Sequence, residues 1–193
     1  MTVDGPIPSL HNNHRCQWFS VRWRAVLDRR DIARLYPLVM SDTSTSNDED
    51  TLPPSVARVL RYFRALGREE KMQALVSYSR RLEPLPERFR DVDRGAFTVP
   101  ECQTRVDLFP EFRDGKLHYY AELDVRQSPT IAAFLAILFS AINDQPPSTV
   151  LAIPDDFVRS VMEGIGLAGR EVGLTAMLLR IKRFAQQAAI AAA

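Results

Sequence analysis

Nucleophiles and metal ligands are scarce in this 193-residue chain. Its only thiols are Cys16 and Cys102, and its only imidazoles are His11, His14 and His118. Two distant cysteines form neither a disulfide framework nor a zinc quartet. Two of the three histidines fall in the N-terminal region, so no cofactor held by this chain alone is expected. Cys102 is the candidate nucleophile. By residue type alone a lone cysteine more often packs a core than reacts. Its neighbours argue for chemistry, because Pro100, Glu101, Gln103 and Thr104 are poor core material. They place the thiol in a loop beside a sheet, where sites are carried on a rigid scaffold. Thiolate is the reactive form, and Arg105 favours it while Glu101 opposes it.

Other chemistries find less support. A cysteine–histidine couple needs His118 as base, yet His118 sits in a strand pattern on the solvated face. Glu69-Glu70 and Asp155-Asp156 read as first-turn carboxylates, favourable to a helix dipole. The glycines from 164 to 173 match neither Gly-x-Gly-x-x-Gly nor a Walker motif. No stretch interleaves aromatic and basic residues as a nucleic-acid groove does. The net charge of +1 gives no general attraction to polyanions.

The elements that must position Cys102 can be read from periodicity. Val56, Val59, Leu60, Phe63 and Leu66 follow helical spacing, with Gly67 expected as a left-handed cap. A second helix follows, with Met72, Leu75, Val76 and Leu82 as its stripe, folded back on the first as a hairpin. Glu87 to Thr98 is polar. Val99 to Gln103 is a loop leading into Val106-Asp107-Leu108, and Asp114-Gly115 signals a hairpin turn. Leu117, Tyr119, Ala121 and Leu123 then alternate with polar residues, a strand with one wet face. Pro110 is expected to bend the first strand or mark it as an edge.

Ser128-Pro129 opens a helix, with serine as N-cap and proline at the first position. That helix is apolar almost all round (Ile131, Phe134, Leu135, Ile137, Leu138) and should lie at the centre. A short helix from Asp155 to Glu163 and a glycine-rich bend precede a last helix. This one turns Leu174, Met177, Leu178, Ile181 and Phe184 inward, with Arg180, Lys182 and Arg183 near its end. The expectation is an α+β domain, a small antiparallel sheet packed with N- and C-terminal helices.

Residues 1–50 differ from the rest. Residues 1–40 carry six Arg and three Asp, a net +3, which leaves −2 for the remainder. Trp18 to Leu38 reads as a basic, poorly amphipathic helix, and Ser41 to Asp50 as a disordered acidic run. The segment reads as a disordered extension, or as sequence upstream of a true start at Met40; Asp28 and Asp31 argue against a targeting peptide. The folded domain is expected over 51–193. The longest apolar run, Ile131 to Ile142, is too short to span a bilayer. A cytoplasmic protein with reduced thiols and no membrane or nucleic-acid partner is expected.

At Glu101-Cys102-Gln103-Thr104-x-Val106 the chain resembles the SufE family of sulfur acceptors, whose pattern is Cys-Gln-Ser-x-Val-Trp or a close variant. Further segments agree in order: Glu69-Glu70-Lys71, Arg81-Leu82-x-Pro84-Leu85, Pro129-Thr130, Val150-Leu151-Ala152-Ile153-Pro154, and Arg170-x-x-Gly173-Leu174-x-Ala176-Met177. Together they cover about residues 52–185. Thr104 replaces the usual serine, and Asp107 stands where many members have tryptophan. Asp124 is the nearest counterpart of an acidic element and carries no assigned role.

The resemblance implies the SufE/IscU-like fold and a sulfur-transfer protein rather than a stand-alone enzyme. Cys102 would take persulfide sulfur from a SufS-like cysteine desulfurase, stimulate it, and pass sulfur to a downstream Fe–S scaffold. Gln103 and Arg170 would bind the partner or stabilise the thiolate, with capping of the last helix as an equal alternative for Arg170. Pyridoxal phosphate (PLP) belongs to the desulfurase, and no cofactor is this chain's own. Monomer and weak dimer both stay open. The rival readings are an Fe–S assembly scaffold, which needs about three or four ligands where one ordered cysteine is available, and a thiol redox protein, which wants a resolving cysteine nearby.

Overall fold

The computed structural model describes residues 51–166 and 169–192; the expectations for residues 1–50 lie outside them. The elements are helix α1 (Pro54–Ala65), α2 (Arg68–Ser79), strands β1 (Asp107–Arg113) and β2 (Lys116–Glu122), then α3 (Pro129–Ile142), α4 (Pro147–Leu151), α5 (Phe157–Met162) and α6 (Glu171–Ala192). Short 3-10 turns at Glu87–Phe89 and Arg94–Ala96 fill the long connection before β1. The fold is α+β, as the sequence implies.

α3 is the centre. From Ile131 to Ile142 only Ser140 is exposed, and Phe134, Leu135, Ile137, Leu138 and Ile142 are fully buried. Each large apolar side chain so buried contributes about 1.5–3 kcal/mol. α1 and α2 both pack on α3, and α1 also meets α5. They do not close chiefly on each other as a hairpin, although Phe63 and Tyr78 bring their rings to 5.9 Å. α4 packs on α6, while α6 also covers α5 and β1.

Two local expectations change at α2. Gly67 is extended (φ −69°, ψ 169°), not left-handed, and it begins the second helix instead of closing the first. Its N–H donates to Glu70 Oε2 at 2.8 Å. The buried face of α2 is Lys71, Ala74, Leu75 and Ser79, whereas Met72 and Val76 are about half exposed. Small Ala74 and Ser79 let α2 approach α3 closely. The Lys71 stem lies along apolar surface while its Nζ donates to the Glu163 carbonyl at 3.0 Å, at the end of α5. At the other end of the chain, α6 runs on through alanines to Ala192, so Arg180, Lys182 and Arg183 are mid-helix.

The hairpin forms as expected. Asp114 (φ 51°) and Gly115 (φ 76°) make the turn, and the register runs from Asp107↔Glu122 to Arg113↔Lys116. Leu117 and Tyr119 turn their backbone groups away from β1. Leu117 pairs with Asp144 N and Gln145 O, and Tyr119 with the Asn143 side chain, at 2.8–3.2 Å. Pro110 lies opposite Tyr119, so its missing N–H falls on the outer edge and breaks no bond between the strands.

The outer face of the hairpin is roofed over Phe109, while Arg113, Lys116 and Glu122 on it stay exposed as expected. Phe89 and Phe97 cover Phe109 at 5.3 and 5.0 Å between rings, and Arg88 pairs with Glu111 at 2.6 Å. On the inner face Tyr119 is fully buried; its hydroxyl donates to the Ile181 carbonyl of α6 at 3.2 Å, and burial pushes its pKa upward. Replacing Asn143 with alanine leaves both Tyr119 backbone groups without their partner. We expect a loss of about 1–3 kcal/mol in urea unfolding; an unchanged midpoint would show that water takes over both bonds.

Candidate functional site

Cys102 is a free thiol of intermediate exposure at the head of a closed loop. The loop is tied at its base. Val99 N–H donates to Val106 O at 2.9 Å, Leu108 N–H to Phe97 O at 2.9 Å, and Thr98 bridges Asp107 as a short antiparallel ladder. Inside it, Cys102 N–H donates to Val99 O at 3.3 Å, which turns the chain at the thiol.

Asp107 organises the base. Its side chain is 2% exposed, so the carboxylate needs partners. It accepts from the Thr98 hydroxyl and from Arg105 Nε at 3.1 Å, with Arg94 Nε at 3.8 Å. Arg94 also holds Glu122 at 2.8 Å, across β2. Arg105 is thus engaged with Asp107, a role its position next to the motif does not reveal.

Three further contacts seat the loop and the turn before it on the helices. Thr104 Oγ1 and Ser128 Oγ lie 2.9 Å apart. Ser128 is the N-cap residue of α3, but its hydroxyl makes this bond and no cap bond. Arg180 donates from Nη2 to the Ala96 carbonyl at 2.7 Å. Burial and neighbouring Arg183 lower the Arg180 pKa, while the negative fields of Glu101 and Asp107 oppose the shift. The third contact is at Gly173, where a side-chain carbon would lie 3.5 Å from Cys102 Sγ. Gly173 is in the first turn of α6, so the thiol packs against the side of that turn.

The remaining candidates separate. Gln103 is exposed beside Cys102. Arg170 precedes α6, and its carbonyl accepts Leu174 N–H at 3.1 Å; its exposed side chain is three residues from Gly173. His118 belongs elsewhere, bonded to Asp144 at 3.0 Å, Glu83 at 3.2 Å and Asn143 at 3.1 Å. Asp124 accepts Arg126 N–H at 2.9 Å and Gln127 N–H at 3.2 Å, a local turn before α3. Asp156 stands at the N-cap position of α5, while Asp155 pairs with Lys182 at 2.8 Å.

Comparison with known proteins fits this geometry. The family model for SufE, the Fe-S metabolism associated domain, matches residues 57–185. The chain belongs to the SufE family. Two uncharacterized SufE-like proteins of Mycobacterium tuberculosis, from strains CDC 1551 / Oshkosh and H37Rv, are each 31% identical over 146 residues, covering 72% of this chain and 96% of theirs. The solution structure of a hypothetical protein from Thermus thermophilus is similar with a TM-score of 0.63 and 28% identity. That match covers 72% of this chain and 98% of the other.

If Asp107 holds the loop base, its replacement should free the thiol. Asp107→Ala is expected to cost about 1–3 kcal/mol of stability and to speed iodoacetamide alkylation of Cys102, read by peptide mass spectrometry. Unchanged melting and alkylation would show that the loop is held by other contacts.

Proposed function

We propose that this protein accepts sulfur on Cys102 from the persulfide of a SufS-like, PLP-dependent cysteine desulfurase in the cytoplasm and passes it to an Fe–S assembly scaffold. The observation that carries this reading is a free, partly accessible cysteine on a loop fastened to the sheet and to α6, in a SufE-family chain.

The chemistry is thiol exchange, which needs access, thiolate and alignment more than a separate acid or base. The Cys102 thiolate attacks the outer sulfur of the desulfurase persulfide. A bond forms between Cys102 Sγ and that sulfur, the bond to the desulfurase cysteine breaks, and its thiolate leaves. The transferred sulfur keeps its oxidation level, so no oxidant or reductant is required. Clearing the desulfurase cysteine lets the next cycle begin, which is how the acceptor stimulates its donor. Exposed Gln103 and Arg170 are positioned to meet the desulfurase surface, with Arg170 pairing an acidic group there.

Two variants test the reading in one assay of desulfurase turnover. Cys102→Ser is expected to melt near wild type and bind the desulfurase, yet to give no stimulation, because an alcohol cannot hold a persulfide. Undiminished stimulation would refute sulfur acceptance at this residue. Arg170→Ala should keep its fold and weaken activation about tenfold, the scale of one charged contact. A largely unfolded Arg170→Ala protein would assign Arg170 to capping α6 instead.

A further inference from the structure

We propose that Gly173 is a positioning residue for the transferred sulfur: its missing side chain leaves, against Cys102 Sγ, the volume that the outer sulfur of a Cys102 persulfide occupies. This rests on the sulfur-acceptor reading and adds to it the residue that shapes the sulfur's seat.

A carbon built on Gly173 would lie 3.5 Å from Cys102 Sγ, 3.6 Å from its Cα and 3.7 Å from its Cβ. Those are ordinary contact distances, so a methyl group fits beside the reduced thiol. It does not fit beside a persulfide directed at α6, whose second sulfur stands about 2.05 Å beyond the first. The two would claim the same space.

Other reasons for glycine are weaker here. Gly164 and Gly166 have φ of +80° and +76°, a backbone that favours glycine whatever surrounds it. Gly173 is helical, in a first turn where alanine is the better helix former. Gly169, nearby in sequence, would have nothing within 4 Å of a side-chain carbon placed on it. What sets Gly173 apart is its contact with Cys102. The outer sulfur would lie beside the first turn of α6, where the helix dipole is positive.

The test loads sulfur chemically, without a desulfurase. With sodium disulfide, the Cys102 thiolate attacks one sulfur of HS–SH. A new S–S bond forms, the reagent's S–S bond breaks, and hydrosulfide leaves. Peptide mass spectrometry on the full chain separates Cys102 from Cys16. Wild type and Gly169→Ala should load Cys102 alike. Gly173→Ala should carry roughly tenfold less persulfide at limiting donor, the scale of a one-methyl overlap, while its reduced form melts at or above wild type. In wild type, loading should shift the Gly173 amide resonance and leave that of Gly169 in place.

Equal loading of Gly173→Ala, or a Gly173 amide unmoved by loading, overturns the proposal. Should the alanine variant fold poorly, the wild-type amide shift decides alone. Failure of the acceptor reading would look different: wild type would load from sodium disulfide but take no sulfur from a desulfurase.

Discussion

A carboxylate that is 2% exposed must be satisfied where it lies, and Asp107 meets that demand with groups drawn from both sides of the cysteine loop. Thr98 comes from the strand-like segment before the loop, Arg105 from the loop's own end, and Arg94 from the turn that roofs the hairpin. Drawing these together closes residues 99–106 into a fastened unit. That unit can then rest on Ser128 at the start of α3 and on Gly173 in α6, while Arg180 of α6 holds Ala96 just before it. Arg94 extends this polar network to Glu122 on β2.

The mechanical consequence suits thiol exchange. Attack on a persulfide requires a sulfur that is reachable but held in direction. Cys102 has intermediate exposure, a backbone bond to Val99, and the first turn of α6 on one side. Gly173 and Arg180 are about two helical turns apart, so one face of α6 serves both the thiol and the loop's approach. The buried stripe Leu174, Met177, Leu178, Ile181 and Phe184 anchors that helix in the core. Core packing thereby sets the position of the first turn that lies beside the sulfur.

Features set by local rules are legible in the sequence. The Asp114-Gly115 turn, the Ser128-Pro129 helix start, the all-round apolar α3 and the inward stripe of α6 each follow from a few adjacent residues. So does the loop position of Cys102. What periodicity misses depends on partners distant in the chain. Hydrophobicity favours Met72 and Val76 as the inner face of α2, whereas packing on α3 selects small Ala74 and Ser79. Gly67 has the composition of a helix stop, but Glu70 reaches back to its N–H and makes it a start. The alternation in β2 indicates a wet face, but the roof over it, and therefore the burial of Asp107, comes from a segment that reads as polar loop. Gly173 is one letter of a motif; a glycine where a helix wants alanine is the available signal, and its meaning needs Cys102 beside it.

The most direct test of the account is a single-turnover transfer. A cysteine desulfurase charged with one labelled sulfur and freed of excess cysteine is mixed with the full-length protein, and the label is followed by peptide mass spectrometry. The account predicts that labelled sulfur leaves the desulfurase cysteine and appears on the Cys102 peptide as a reducible persulfide, ahead of any transfer to a scaffold. Label that stays on the desulfurase, or that appears on Cys16 while Cys102 remains a free thiol, would contradict it.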